Sequence, residues 1–328
     1  MSCLTKLAAG LLLGAIALVV TFAHLTSRYG WRLYLEVFSH FQVQYWAIAL
    51  ILLGILFLLR RKWPVYAGLF LVVTLSLQIL PWYWPPLRLF PTRHTADWHV
   101  LIANINTQNT SYDKVLSLVR AEDPDVAIFM EVDDTWQAQL DQLGDRLPYS
   151  SGRSNPYNLG LLVYSKQPLG NARVEFFGTE RNASVIAQLA IAAQPVTLLA
   201  THPLPPAKPS FFQSRNQQLA RISEYLATLE NQIILAGDLN TTMWSPYYRR
   251  LAQRTGLHNA REGFGILPTW PTPGTYRRLP GWLTLLLSIP IDHCLLSQGL
   301  EAVNVYTGSH IDSDHRPLLV DIRARPAT

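Results

Sequence analysis

Residues Gly308 to Pro317, GSHIDSDHRP, place Asp314 and His315 beside Pro317, just where an apolar run of Leu318, Leu319 and Val320 resumes. A loop pinned at the start of a strand is a common mount for chemistry, because the scaffold holds its polar groups still. Two loops of the same kind precede it: GDLN, Gly237 to Asn240, and IDH, Ile291 to His293. A histidine that takes a proton from water or binds a phosphate oxygen is held in one tautomer by a carboxylate on its other ring nitrogen. His315 and Asp292, on separate strands that could pair, supply that couple. Asp238 and Asn240 stand two apart after Ile233 to Ala236, so in an extended chain a carboxylate and an amide face one phosphate or water. Taken alone, GDLN is also what a turn with Asx hydrogen bonds looks like.

Glu131 follows the apolar run Val126 to Met130, and Asn104 ends the run from His99 in the same way. If those runs are parallel neighbours, both side chains meet at one rim, although a polar strand end is by itself unremarkable. His202 follows Val196 to Ala200 in ATHPLPP, where prolines stiffen its loop; as a lone histidine it reads as structural. Carboxylate and amide oxygens without cysteine suit Mg²⁺ or Mn²⁺ better than Zn²⁺. The chemistry these residues imply together is metal-assisted hydrolysis at phosphorus.

Positioning them requires strands. His99–Asn104, Val126–Met130, Gly160–Tyr164, Val185–Leu189, Val196–Ala200, Ile233–Ala236, Ile291–Ser297 and Leu318–Ile322 are short apolar runs bounded by turn residues. Tyr112–Glu122 and Phe212–Leu229 have helical periodicity. Few helices among many strands predict paired sheets with helices outside, and no Gly-rich phosphate loop is present.

The first part of the chain is different in kind. Leu7–Leu25, Tyr45–Leu59 and Pro64–Leu80 are apolar runs, each near the length that crosses a hydrocarbon core of roughly 30 Å. They predict three transmembrane helices over residues 1–85. A cleaved signal is the alternative for the first, disfavoured by the lack of a small-residue cleavage site; buried core helices are the alternative for the others, disfavoured because they are apolar all round. An exit linker follows in Pro81–His94, rich in proline and aromatics, which sets boundaries of 86–97 for the linker and 98–325 for the remaining domain. The cluster Arg60, Arg61, Lys62 is the best cytoplasmic marker and predicts an extracytoplasmic domain, on the outer side of a bacterial inner membrane.

The formal charge of +5 belongs to that first part. Of 27 Lys and Arg against 22 Asp and Glu, eight bases but only Glu36 and Asp97 precede Trp98, so the rest is close to neutral. A neutral domain lacks the basic surface that displaces counterions from nucleic-acid phosphates. Cys3 and Cys294 imply no disulfide framework.

The order and wording of seven segments, LIANINTQN, DPDVAIFMEV, NLGLLVYSK, ATH, GDLN, IDHCLLS and SDHRP, resemble the endonuclease/exonuclease/phosphatase superfamily, related to pancreatic-type deoxyribonuclease. They run from about 98 to 322. The resemblance implies a four-layer α/β/β/α sandwich and a Mg²⁺- or Mn²⁺-dependent phosphohydrolase. It implies that Glu131, with Asn104 beside it and Asp314 as a second acid, meets the metal. It further implies that Asp238 aligns or deprotonates water, Asn240 and His202 contact phosphate, and His315 acts on the scissile phosphate with Asp292 as its orienting partner.

One departure bears on substrate. Family nucleases carry Arg and Lys on loops that grip the DNA backbone, yet here the domain has no net positive charge, and the loop before IDH is Arg277, Arg278, Leu279, then PGWLTLLLSIP. Trp282–Leu287 is either a segment that dips toward the bilayer, for a lipid-borne phosphodiester, or a core strand. The expected partners are therefore a phosphate-ester substrate and a membrane, with nucleic acid disfavoured by charge; an extracytoplasmic nuclease and a non-catalytic membrane scaffold are the alternatives.

Overall fold

Apolar side chains surround the first helices. The computed structural model describes residues 3–30, 32–86, 96–276 and 278–325. It begins with α1 (Cys3–Arg28), α2 (Leu33–Phe38), a 3-10 turn at Ser39–Phe41, α3 (Gln42–Leu58) and α4 (Lys62–Ser76). Leu4–Arg28 and the continuous stretch Leu33–Leu58, 25 and 26 residues, are long and apolar enough to cross a membrane. The 15 residues of α4 reach only ~22 Å at ~1.5 Å per residue. Two helices of spanning length are present among the described residues, and the third expected span, Pro64–Leu80, is not one long helix. Its helix stops at Ser76, and the chain turns again at Leu80–Tyr83.

The second span begins well before Tyr45, because Glu36, Ser39, His40 and Gln42, which interrupt the apolar pattern, are all buried with polar partners. The helices pack on one another through Ile16, Val20, Leu56, Val72 and Leu75. Residues 87–95 of the expected linker, with Arg88 and Arg93, lie outside the described residues. Its first part is docked: the Trp82 carbonyl accepts from the Gly263 and Gly265 N–H groups at 3.1 and 2.9 Å.

Beyond the linker, strand alternation sets the layers. In β1 (Trp98–Asn104), Trp98, Val100 and Ile102 face one core while Leu101 and Ala103 face another. A strand buried on both faces needs cover on both sides. Around it come α5 (Tyr112–Glu122), β2 (Val126–Met130), α6 (Asp134–Leu140), β3 (Tyr149–Arg153) and β4 (Leu161–Ser165), then β5 (Gly170–Phe176), β6 (Ala183–Ile191), β7 (Gln194–Thr201), α7 (Pro209–Leu226), β8 (Gln232–Asp238), α8 (Pro246–Thr255) and β9 (His258–Asn259). The chain ends with α9 (Gly281–Leu286), β10 (Asp292–Leu296), β11 (Leu300–Thr307) and β12 (Leu318–Ala324).

The strands form two six-stranded sheets, ordered β11-β12-β1-β2-β4-β3 and β5-β6-β7-β8-β10-β9. Their inner faces share one core, in which Ile102, Ile128 and Val163 lie with Leu198, Ile234 and Cys294, a free buried thiol. The first sheet's outer face is covered by Leu116 and Val119 of α5 and Trp136 of α6. The second is covered by Leu219 and Ile222 of α7 and Leu251 of α8, joined by Ile79 and, at the edge, Trp46 and Trp82 of the amino-terminal region. The layers run helix, sheet, sheet, helix, as expected. The amino-terminal helices are thus packed against one outer layer.

Trp282–Leu287 is no core strand. After Pro280 the chain forms the short helix α9, and Trp282, Leu285, Leu286 and Leu287 are exposed. Arg277 lies outside the described residues.

Candidate active site

One edge of the sandwich collects the polar residues, for a reason of topology. β1 is parallel to β2, and β7 is parallel to β8, so all four deliver their carboxyl ends to the same side of their sheets. β12 and β10 are antiparallel to β1 and β8, so their beginnings arrive at that side too. Asn104 and Glu131 therefore meet at one rim, as expected for parallel neighbours, with Asp314 and His315 on the loop that enters β12. His202 and Asp238 meet on the second sheet, where Asp292 at the start of β10 lies directly across from Asp238.

All eight expected residues are brought to this edge. Asn104 donates from Nδ2 to Glu131 Oε1 at 3.0 Å and to Asp238 Oδ2 at 3.3 Å, bridging the two sheets. Asp238 Oδ2 also stands 3.5 Å from His202 Nε2 and 3.7 Å from His315 Nε2. His315 Nδ1 meets Asp292 Oδ2 at 2.8 Å. His315 and Asp292 do not come from paired strands: the histidine belongs to the first sheet and the aspartate to the second, and they meet where the facing sheets end. Two carboxylates opposite one another repel, and His315 sits against both.

Asp238 and Asn240 converge, though not through extended alternation. Asn240 lies in the left-handed region at φ +49°, so the chain turns, and its N–H donates to Asp238 Oδ1 at 2.8 Å while its Nδ2 lies 3.4 Å from Oδ2. Glu131 has φ +61°. Side chains rarely adopt this conformation, and such strain persists where the surroundings over-determine it. The Glu131 N–H donates to the Gly160 carbonyl at 2.9 Å, and its carbonyl accepts from Thr107 Oγ1 at 2.8 Å. Gly237, at φ +138°, allows β8 to pass the end of β7, where an added Cβ would collide with the Thr201 carbonyl.

Electrostatics follow burial. Desolvation pushes the Glu131 carboxyl above the usual range, against the pull of His202, Asn104 and His315. Burial alone would depress both histidines. For His202 the hydrogen bond and charge of Asp238 prevail and raise it. For His315 the charge and hydrogen bond of Asp292, with Asp238 and Asp314 behind them, raise it to about 10. Both imidazoles are held toward the cationic form. His293 of the IDH segment points the other way, as alternation requires. It is pushed down to about 3 by burial and by Arg261, with Nε2 at 2.8 Å from the Thr241 carbonyl.

Several residues in contact with the site carried no signal in sequence. Trp270 Nε1 donates to Asp314 Oδ2 at 3.1 Å, and Asn106 Nδ2 donates to Asp314 Oδ1 at 2.8 Å. Beneath the site lies a fully buried pair, Arg215 Nη2 and Glu36 Oε1, 3.0 Å apart. Arg215 also donates to the Asn240 carbonyl at 2.8 Å, and Glu36 accepts from Ser245 Oγ at 2.7 Å. His40 Nδ1 lies 3.1 Å from Thr242 Oγ1. The apolar amino-terminal stretch thus reaches into the loop that follows Asp238. A cavity of about 480 Å³ opens over the site, with Glu131, Asp238, Asn240, Asp314 and His315 on its polar side and Val37, His40 and Phe41 of that stretch on its wall.

Two groups of side chains have the chemistry of a cation site. Asp238, Asp292 and His315 offer atoms within 4.8 Å of one another, and the His315–Asp292 hydrogen bond already engages two of the three. Glu131 and Asp314 offer hard carboxylate oxygens and Asn104 an amide at the same rim, with Glu131 raised chiefly by its own burial.

The sequence model of the Endonuclease/Exonuclease/phosphatase family matches residues 101–315. No curated protein sequence matches the chain. Among solved structures, truncated Caenorhabditis elegans TDP2 is similar with TM-score 0.56 and 19% identity, over 69% of this chain and 98% of that one. TDP2 of D. rerio, complexed with single-strand DNA product, gives TM-score 0.58 and 14% identity over 69% and 99%. Sphingomyelinase C from Streptomyces griseocarneus gives TM-score 0.50 and 18% identity over 68% and 98%. At these identities the likeness is one of fold, and the residues that the family model matches run from within β1 to His315 at the entry to β12, taking in every polar strand end described above. The chain belongs to the endonuclease/exonuclease/phosphatase family.

Proposed function

We propose that the chain is a membrane-anchored, divalent-metal-dependent phosphohydrolase that cleaves phosphodiesters. The observation that carries this reading is Asp238 Oδ2, which faces His202 Nε2, His315 Nε2 and the Asn104 amide at the edge of the cavity. Asp238 orients the attacking water and receives its proton as the new P–O bond forms. His315, fixed by Asp292 on Nδ1, and His202 present cationic N–H groups to the oxygens that gain charge, and the bond to the leaving oxygen breaks in line. Asn240 adds an amide donor at the same end. A divalent cation held by Glu131, Asn104 and Asp314 would neutralise charge on the phosphate, and their hard oxygens fit Mg²⁺ or Mn²⁺.

Membrane anchoring rests on the apolar windows of Leu4–Arg28 and Leu33–Leu58, of which only 22% and 17% are buried. A soluble core helix would be mostly covered. The ends of α4 support a third crossing. Arg61, just before it, donates to Thr5 at the start of α1, while Ile79, just after it, joins the core of the catalytic part. α1 and α3 have their opposite ends at the same two levels, for the Ser27 carbonyl accepts from Arg249, and Gln44 donates to the Leu286 carbonyl. With Arg60, Arg61 and Lys62 on the cytoplasmic side, the catalytic part stands outside a bacterial inner membrane.

The test is a panel run on the full chain in detergent micelles: a phosphodiester, a phosphomonoester, phospholipid and plasmid DNA, with Mg²⁺ and with chelator. Hydrolysis of the diester that depends on the metal, and falls by roughly two to three orders of magnitude in Asp238→Ala or His315→Ala, is expected. Near-normal rates in either variant overturn the assignment. Labelling of single cysteines introduced near Arg61 and on β11 tests the orientation.

A further inference from the structure

The cavity over the site has two chemically different ends. One carries Glu131, Asp238 and His315; the other is walled by Val37 and Phe41 of the apolar stretch and by Leu287 and Ile289 beyond α9. The apolar end is continuous with the surface of the amino-terminal helices. Gln44 in the first turn of α3 donates to the Leu286 and Ser288 carbonyls at 3.0 and 3.4 Å, which holds α9 against the point where α3 leaves the catalytic part. Trp282 is 65% exposed and Leu286 59% exposed on α9, and Phe38 of the amino-terminal stretch is 46% exposed. Apolar side chains this large gain most where water is absent.

We infer that this apolar end binds the hydrocarbon arm of an amphiphilic phosphate ester carried by the bilayer, whose phosphate then lies against Asp238 and His315. The inference rests on the phosphohydrolase reading above and names its substrate class. A polar backbone such as that of a nucleic acid has no use for this wall. An alkyl chain seats against Val37, Phe41, Leu287 and Ile289. Each methylene buried there is worth roughly fourfold in binding, so three to four of them give on the order of a 100-fold preference.

The experiment compares methyl p-nitrophenyl phosphate with dodecyl p-nitrophenyl phosphate, two diesters with the same leaving group. The full chain is assayed at a fixed micelle concentration with Mg²⁺. The expected result is a kcat/KM for the dodecyl diester about 100-fold higher, with the ratio falling below about tenfold in Leu287→Asn and, as a second variant, Val37→Asn. Trp282→Ser, which alters the exposed face and not the cavity, retains the ratio. Equal turnover of the two diesters by the native chain overturns the inference and leaves the phosphohydrolase reading standing. A ratio unmoved in both cavity variants shows micelle partitioning alone and also overturns it. No turnover of either diester sinks both.

Discussion

Arg215→Met should destabilise this protein far more than an ordinary surface change. Arg215 and Glu36 are both fully buried, 3.0 Å apart, one in α7 and the other in the amino-terminal stretch. Removing the cation leaves Glu36 with hydroxyl donors from Ser245 and Thr241 and with His40 Nε2 3.4 Å from its other oxygen, but without the permanent charge of Arg215, so the loss should fall toward the lower end of the usual range for a broken buried pair. Breaking a buried pair by deleting one partner typically costs about 3–5 kcal/mol, because the other charge stays buried without compensation. At roughly 2–4 °C per kcal/mol for a domain of this size, Tm should fall by roughly 6–20 °C. Glu36→Gln should also destabilise, since it leaves Arg215 without its carboxylate. The double variant Glu36→Gln/Arg215→Met should recover much of the loss, as neither charge remains and the glutamine still accepts from both hydroxyls. The measurement is thermal unfolding of the full chain in detergent at pH 7 for all four proteins of the cycle. If both single variants melt within about 2 °C of the parent, or the double variant loses the plain sum, the pair is not what ties the amino-terminal helices to the two-sheet domain. Activity should decline before unfolding begins, because Arg215 also holds the Asn240 carbonyl.

Three further outcomes follow from the same geometry. In metal-free protein, His315 has its pKa raised from 6.5 to about 10, so the stability its proton contributes is complete below pH ~6.5 and is lost as pH rises toward 10; urea midpoints at pH 7 and 9.5 should show the fall, and Asp292→Asn should flatten it. Chelation should abolish hydrolysis and Mg²⁺ or Mn²⁺ restore it, with Glu131→Gln requiring at least tenfold more metal for half-maximal rate, read by titration of activity against free metal. Excision of residues 1–95 should yield a fragment that aggregates or turns over at least tenfold more slowly, because it uncovers the surface on which Ile79 and Trp82 pack and strips Glu36 from Arg215; size-exclusion chromatography and the p-nitrophenyl diester assay report it.

The strand-end residues were legible because their signal is local. A short apolar run followed by Glu131, Asp238 or His202 states both the strand and the side chain it delivers, and parallel pairing does the rest. The pairing of His315 with Asp292 could be named from chemistry, but its route could not. Nothing within either segment says that one belongs to the first sheet and the other to the second. Glu36 and His40 were invisible for a different reason. Inside an apolar stretch they look like interruptions of a membrane helix, and their partners, Arg215 and Thr242, lie well over a hundred positions away. Trp282–Leu287 was ambiguous because six apolar residues fit a buried strand and an exposed helix equally well; Pro280 and the Gln44 contact decide for the helix.

The eight polar residues are divided evenly: Asn104, Glu131, Asp314 and His315 ride on one sheet, and His202, Asp238, Asn240 and Asp292 on the other. Neither set is complete, so the proposed turnover would be a property of the seam, and side chains in the middle of the sandwich set its registry. A volume change at Ile128 or Leu198, too far inside to touch substrate, would let one half slip against the other. Such a protein would stay folded and still bind, yet work slowly, and its defect would be invisible to any inspection confined to the cavity.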